Sequence, residues 1–503
     1  MKLSAIILAA VAVLDVGVEA TADNSQNLLC CTLLQHFFPD KTSFPKDAAY
    51  KTSISSYWSL QAQLNPSCII QPECSKEVAD IVVLLAASSL ATPCPFAIRS
   101  GGHNPFPDNN IGAPGVTIDL SKINSVALKD NNSTAAIGPG ARWKDVYNYL
   151  GPRGYSVPGG RAASVGVGGL TLGGGNSFFA ARYGFVCDNV VNYEIVTGLG
   201  LTLNVNNHTN TDLFRALKGG ANNFGIVTRF DITAFESDDI WGGIVLYPAS
   251  TIPQQISAFV KFTDNIDKDP YGSLITFWAY SSLTGTTTVE NAYEYTKPQA
   301  YPPAFKELTA IKPEILNTLR IDNLTSLTTE LEAAYNQRDL FATLTFGNNA
   351  DVIKEVYSIS QKLLEPVKHV QNLTWITMFQ PIPRVITDRG LERGGNSLGL
   401  DRTKSNQVLF LFFVQWVNKA DDAKLQKAAD TLMAEVTALT KKKGVFNEYI
   451  YLNYALADQD PIGSYGAENV KKLRAVSKKY DPLQIFQNLV PGGFKLGKAN
   501  GGK

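Results

Sequence analysis

The chain has 503 residues, 45 Lys plus Arg against 45 Asp plus Glu, and 45% hydrophobic residues. That balance fits a globular protein with a large core and excludes disordered and fibrous chains, and domains of about 100 to 250 residues make two the expected number. With 18% charged residues and no basic run beyond Lys441 to Lys443, no electrostatic footprint for a nucleic acid is present.

In chain order, Met1-Lys2 is followed by an apolar run from Leu3 to Val13 and by Val18-Glu19-Ala20, the pattern of a secretory signal removed after residue 20. The run is too short for a bilayer, which takes about 20 residues. A secreted chain that spans no membrane is therefore expected. Asn-x-Ser/Thr triplets at Asn131, Asn132, Asn207, Asn323 and Asn372 suit N-glycosylation. The cysteines Cys30, Cys31, Cys68, Cys74, Cys94 and Cys187 form no C-x-x-C pair and lack the His spacing of a zinc site, so no metal is expected. One or two disulfides should form among the first five, with the pairing open, and Cys187 reads as a buried free thiol.

Strand Cys68 to Ile70, an amphipathic helix from Ser75 to about Ser89 and strand Phe96 to Ile98 come next, the last ending in Arg99-Ser100-Gly101-Gly102-His103-Asn104. Strands Val116 to Leu120 and Thr134 to Ile137 follow. A glycine-rich passage, Pro158 to Gly175, leads to strands Val190 to Val196 and Leu201 to Val205, helix Asp212 to Lys218 and strand Ile226 to Ile232. After Glu236 the texture changes. Apolar β segments (Gly243 to Tyr247, Leu274 to Tyr280, Leu340 to Phe346, Val408 to Val417) alternate with the helices Ala350 to Leu364 and Ala420 to Leu439, which would cover one face of an antiparallel sheet. The boundaries expected are 1–20 for the signal, 21–236 for a first domain with its core at about 62–236, 237–445 for a second, and 446–503 for a segment returning to the first.

Two features carry chemistry. Gly166, Gly168, Gly169, Gly173, Gly174 and Gly175 lie among small residues, where backbone N–H groups can approach an anionic ligand such as a pyrophosphate. Their spacing fails both G-x-G-x-x-G, because Thr171 stands where the last glycine is needed, and the P-loop. His103 follows two glycines at the end of a strand. An isolated histidine is ordinarily a packed side chain, but this context admits a planar or anionic group beside it.

Together these features resemble the berberine-bridge-enzyme-like FAD-linked oxidases, within the vanillyl-alcohol oxidase and para-cresol methylhydroxylase superfamily. The resemblance rests on Pro66-x-Cys68-Ile-Ile-x-Pro72, Phe96-Ala-Ile-Arg99-Ser-Gly-Gly-His103, Ile137-Gly-Pro-Gly-Ala141, Ser164-Val-Gly-Val-Gly-Gly169, Gly219-Gly-Ala-Asn-Asn-Phe-Gly-Ile-Val227, Tyr451-Leu-Asn-Tyr454 and Lys479-Tyr-Asp-Pro482. It covers nearly the whole chain beyond residue 20, and Arg393-Gly-Gly-Asn-Ser-Leu-Gly399 is similar to fungal members.

The resemblance implies an α+β fold: a two-part FAD-binding domain plus a substrate domain whose antiparallel sheet is roofed by helices. It implies FAD wrapped by Arg99, Ser100, Gly101, Gly102 and Asn104 and joined covalently to His103. Val165, Gly166, Val167, Gly168, Gly169, Gly173, Gly174 and Gly175 would line the cofactor, Gly225, Ile226 and Val227 would contact it by backbone, and a C-terminal strand would bring Asn453 and Tyr454 to it. Many members add a second link through cysteine, but the aligned residue here is Ala163, which implies one link only.

The implied reaction is hydride loss from a small molecule to FAD, with reoxidation by O₂, where Val167 would leave room for oxygen. Tyr454 is the candidate base. A phenol ionises only near pH ~10, so it needs a nearby cation, which sequence does not identify. Gln380, Asn396 and Gln415 could line the substrate side. A sugar oxidase, or a flavin-binding protein without turnover, stands as the alternative, and oligomeric state is left open.

Overall fold

The computed structural model describes residues 29–500; the expected signal segment, residues 1–20, lies outside them. Strands Cys68–Ile70 and Phe96–Arg99 both run parallel to Val116–Asp119, and Thr42–Ser43 joins the edge antiparallel. Parallel neighbours need a crossover, which the helix Ser75–Ser88 supplies. Its Val78, Ile81, Val82 and Leu85 follow the i, i+3, i+4, i+7 pattern of one helix face and are all fully buried.

This helix also packs on strands Val190–Val196 and Thr202–Asn206 of a second sheet. That sheet is antiparallel and five-stranded, in the order Val126–Lys129, Thr134–Ile137, Ile226–Thr233, Val190–Val196, Thr202–Asn206. The first domain is thus two sheets sharing one helix. Disulfides Cys30–Cys94 and Cys31–Cys68 tie the helix Leu29–Phe37 to the first sheet. Cys74 is an exposed free thiol and Cys187 a buried one.

Beyond Glu236 the chain builds a nine-stranded sheet whose central strands run Ile240–Pro248, Thr286–Tyr295, Gly272–Ser281, Thr374–Ile382, Gln407–Trp416, Arg338–Gly347. Helices Ile252–Asn265, Ala350–Leu364 and Asp422–Lys442 pack together as its roof. Every residue of Gln407–Trp416 is buried, because helices cover one face of that strand and the first domain covers the other. The architecture is α+β, with an antiparallel sheet roofed on one side and facing the two-part domain on the other.

Strands Thr286–Tyr295 and Thr374–Ile382 were not foreseen from sequence. The first reads Thr-Thr-Thr-Val-Glu-Asn-Ala-Tyr-Glu-Tyr, and its Asn291 and Glu294 are buried polar residues that break the apolar alternation by which strands are recognised. The C-terminal segment also differs from expectation at its start. Phe446–Asn447 still pairs with Arg338–Gly347 in the large sheet, and Leu452–Tyr454 is a single 3₁₀ turn rather than a strand. The helix Ala467–Tyr480 then packs on Thr211–Leu217 of the first domain.

Candidate active site

Between the glycine-rich loops of the first domain and the free face of the large sheet lies a cavity of about 610 Å³, within the usual range for small-molecule and cofactor sites. One wall is mainly loop backbone. The other is side chains of the sheet, including Ile275, Phe277, Ile376, Met378, Leu411 and Phe413.

On the loop wall, Gly101 and Gly166 touch backbone to backbone. A Cβ on Gly101 would stand 2.5 Å from the Gly166 α-carbon, and Gly102 has φ +63°, which only glycine adopts freely. The Ser100 hydroxyl donates to the Pro139 carbonyl at 2.5 Å and accepts from the Gly168 N–H at 3.1 Å, so it clamps the histidine loop to the glycine loop. Asn104 closes its own turn, its Oδ1 accepting from Phe106 N–H at 2.9 Å and from Asn109 at 2.8 Å. The Arg99 guanidinium is committed to the fold. It donates to Ser53 Oγ at 2.7 Å and to Asp119 at 3.3 Å, and lies 4.2 Å over the Tyr57 ring.

His103 is half-buried at the cavity wall, its ring stacked on Trp58 with centroids 4.5 Å apart and planes 8° from parallel. Burial, aided by the Arg142 charge, pushes its pKa down to about 4, so the imidazole is neutral across the physiological range. Its Nε2 is shielded from solvent and finds no hydrogen-bond partner among the described residues. Gly225, Ile226, Val227 and Asn453 all reach the same cavity. Asn453 donates to the Leu170 carbonyl at 3.0 Å, while its buried Oδ1 has no partner among the described residues.

The glycine passage corrects four expectations. Val165, Gly166, Gly168 and Gly169 line the cavity, but Val167, Gly173, Gly174 and Gly175 are set back from it. Val167 opens the short helix Val167–Leu172 and is fully buried in the same apolar cluster as Trp143 and Val146. Gly173 is needed because a Cβ there would collide with Asn453, and Gly174 and Gly175 turn the chain with φ +116° and +76°. The valine at the cavity is therefore Val165. One turn earlier, Ala162 lines the cavity while Ala163 is fully buried, its N–H donating to the Thr328 carbonyl at 3.1 Å. Neither carries a thiol.

On the sheet wall the missing cation is Arg161. It donates to the Tyr454 hydroxyl oxygen at 3.0 Å and also to Gln380 Oε1, joining residues from three separate parts of the chain. Tyr454 is held edge-on by Phe341 and Tyr451, with ring centroids 5.8 and 4.8 Å away. Behind Arg161 lies buried Glu294, whose carboxyl burial pushes upward while the Arg161 charge opposes the shift. Gln415 lines the cavity and donates to Asp339 at 2.7 Å. Asn396 does not reach the cavity; it donates to buried Asp188 at 2.8 Å, where it ties the loop after helix Arg384–Glu392 to the first domain. Among the described residues no group of three or more His, Cys, Asp or Glu could hold a metal ion, and no helix is long and apolar enough to cross a membrane.

Trp58 and Arg161 were missed by sequence reasoning. Arg161 closes Pro158-Gly-Gly-Arg161 inside the glycine passage, a place that signals close packing but not a partner 293 positions away. Trp58 stands among Ser-Ser-Tyr57-Trp58-Ser with no local sign of the stacked imidazole.

The loop wall fits FAD. Glycines stand where a Cβ would collide, a neutral imidazole with a shielded, unpartnered nitrogen faces the space, and Asn453 offers a free acceptor. A family model described as an FAD binding domain matches residues 66–206. The chain is 40% identical over 487 residues to the FAD-dependent monooxygenase drtC of Aspergillus calidoustus, covering 96% of this chain and 92% of that one. It is 42% identical over 476 residues to the FAD-dependent monooxygenase sdcF of Emericella nidulans, covering 94% and 99%. Among solved structures it is similar to Physcomitrella patens BBE-like 1, with a TM-score of 0.74, 18% identity and coverage of 93% and 99%. It is also similar to the glucooligosaccharide oxidase of Acremonium strictum, which has a 6-S-cysteinyl, 8α-N1-histidyl FAD, with a TM-score of 0.73, 17% identity and coverage of 93% and 99%. The chain belongs to the family of FAD-dependent oxidoreductases that includes these fungal relatives, and it has the berberine-bridge-enzyme-like fold.

Proposed function

We propose that this FAD-dependent oxidoreductase is a secreted oxidase of a small, largely apolar metabolite, with FAD bound covalently through His103 alone and O₂ as the final acceptor. Bound FAD supplies the hydride acceptor. The chain's own residues hold the substrate C–H bond and take the proton from the neighbouring O–H or N–H. Substrate loses two electrons and two protons, and O₂ becomes hydrogen peroxide.

The observation that carries this reading is the Arg161 hydrogen bond to the Tyr454 oxygen. A phenolate formed when Tyr454 gives up its proton would be held by a guanidinium that donates to it, the geometry a general base requires. Gln380 fixes the guanidinium from the sheet side. The apolar sheet wall supports a hydrophobic substrate over a sugar, whose hydroxyls would find few partners on Ile275, Phe277, Ile376, Met378, Leu411 and Phe413. A neutral imidazole at His103 supports covalent attachment, as in the glucooligosaccharide oxidase, while alanine at both 162 and 163 argues against a second bond. Val165, the smaller aliphatic at the cavity, takes over the oxygen-access role expected of Val167. Exposure of Asn131, Asn132, Asn207, Asn323 and Asn372 suits glycosylation on a secretory route.

The test is anaerobic mixing with a panel of aromatic and aliphatic alcohols, aromatic amines and sugars, read as flavin bleaching, followed by aerated buffer. Bleaching by apolar alcohols or amines, then rapid recovery with one hydrogen peroxide per flavin, is expected. Bleaching by sugars alone would favour the carbohydrate reading, and no bleaching by any compound a binding protein. The names of the fungal relatives favour a second reading, oxygen insertion. Under ¹⁸O₂ that reaction would place label in the product, whereas the oxidase reaction places it in hydrogen peroxide.

A further inference from the structure

Glu290 stands on strand Thr286–Tyr295 and lines the cavity from the sheet side. It is half-buried and makes no hydrogen bond or ion pair with any described residue. Burial pushes its carboxyl above the usual range, with no opposing charge nearby. The other acids at the wall differ. Glu330 is paired with Arg320 and accepts from Thr318 at 3.1 Å, and Glu332 is exposed. The two arginines of the cavity are both engaged, Arg99 with Asp119 and Arg161 with Gln380 and Tyr454. An acid with no partner on an apolar wall carries a desolvation cost that a ligand donor would relieve.

The register locates it relative to the chemistry. Glu290 pairs with Phe277, and Phe277 pairs with Met378. Gln380, the partner of Arg161, lies one same-face step beyond Met378. Two strand spacings of about 4.8 Å and one two-residue step of about 6.8 Å put the two α-carbons roughly 12 Å apart. Between them the wall is Ile275, Phe277 and Met378, with no polar side chain.

We propose that Glu290 is the distal anchor for substrate, accepting a hydrogen bond from a donor group on the order of 10 Å from the end of the cavity where Gln380 and Arg161 hold Tyr454. The substrate class is then an elongated apolar molecule, the length of two linked aromatic rings, with a hydroxyl or ammonium at its far end. This rests on the reading of the sheet wall as the substrate side. Glu290 is a specificity residue; it does not touch the reacting atoms.

The test uses the FAD-loaded enzyme, anaerobic, with three probes: 4′-hydroxybiphenyl-4-methanol, 4′-aminomethylbiphenyl-4-methanol and the donor-free 4′-methylbiphenyl-4-methanol. Dissociation constants are read from perturbation of the flavin spectrum, in the wild type, Glu290→Gln and Glu290→Leu. A charge-assisted hydrogen bond should make the donor-bearing probes bind about 10- to 100-fold more tightly than the methyl probe. Glu290→Leu should remove that preference, and Glu290→Gln should remove it for the ammonium more than for the hydroxyl. Unchanged flavin content and melting temperature in Glu290→Gln separate recognition from folding. Equal binding of all three probes by the wild type, or a preference that survives Glu290→Leu, overturns the anchor and leaves the substrate side standing. If no probe perturbs the flavin, the substrate-side reading fails and the anchor with it.

Discussion

The two walls of the cavity are built on opposite principles. The loop wall is made mainly of backbone, brought close by glycines and locked by Ser100, with His103 and Asn453 among the few side chains that present polar atoms to the space. The sheet wall is made of side chains from several neighbouring strands, Ile275 and Phe277, Ile376 and Met378, and Leu411 and Phe413 coming in same-face pairs, with Arg161 reaching across to Tyr454. Backbone amides recognise features common to a cofactor, whereas side chains can be exchanged strand by strand without disturbing the sheet. Changes on the loop wall should therefore affect possession of FAD, and changes on the sheet wall should affect rate and substrate choice.

The strongest break would come from His103. His103→Ala should lose all flavin that survives acid precipitation, while Tyr454→Phe keeps it. Because His103 has its pKa lowered to about 4 by burial, the neutral form predominates above that pH, and covalent attachment to reconstituted apoprotein should be flat from pH 5 to 8. A fall in attachment below pH ~6.5, where an ordinary imidazole protonates, would show that burial does not hold the ring neutral.

Next in size is the Tyr454 pair. Tyr454→Phe and Arg161→Leu should each slow flavin reduction by about 10² to 10⁴, with flavin content unchanged. The double variant should lose little more than either single one, because the two groups act as a unit. Multiplicative losses in rapid-reaction kinetics would mean that Arg161 acts on something other than the tyrosine.

The glycines sharpen the contrast at the loop wall. Gly101→Ala drives a Cβ into Gly166 backbone at 2.5 Å and should destabilise the protein by about 1 to 3 kcal/mol, as overpacking does. Gly169→Ala meets no protein atom within 4 Å and lies in a helix, so apoprotein stability should hold or rise, by up to about 1 kcal/mol. FAD affinity should nonetheless fall if that glycine serves cofactor approach, a difference that thermal melts and flavin titration read separately. Likewise Val165→Leu should slow reoxidation by O₂ with reduction spared, whereas Val167→Leu, in the core, should lower the melting temperature instead.

The last contrast is a pH dependence behind the sheet wall. Burial raises Asp339 from 3.8 to about 7, so the folded protein binds a proton there that the unfolded chain has released. Stability is then lost as pH rises from about 4 through 7. Asp339→Asn should melt with the wild type at pH 4, pull ahead between pH 4 and 7, and keep a constant lead above that. Parallel melting curves at every pH would place the acid in a wetter site than its burial indicates.

Much of the loop wall was legible because its demands are local. A strand ending in Arg99-Ser-Gly-Gly-His103 and a run of glycines record in composition that the backbone must come close to something. Even there the motif misled on detail: Val167 and Val165 look alike in sequence, and only the start of helix Val167–Leu172 sends one into the core and leaves the other at the cavity. The sheet wall was barely legible. Thr286–Tyr295 hides its alternation behind buried polar residues, and Glu290 within it looks like any solvated glutamate.

By itself, then, the sequence determined most strands of the first domain and the helix that its two sheets share, though not strand Val126–Lys129 or helix Trp143–Leu150, together with the FAD-binding character of its loops and the candidacy of His103 and Tyr454. These follow from local periodicity, from glycine where no Cβ fits, and from a family pattern spread along the chain. Tertiary structure alone decided that the cation beside Tyr454 is Arg161, 293 positions away, that Trp58 stacks on His103, and that Glu290 faces the cavity without a partner. Such pairings depend on sheet register and on the docking of two domains, where a shift of one residue turns a side chain to the opposite face, and no stretch of neighbouring residues records that choice.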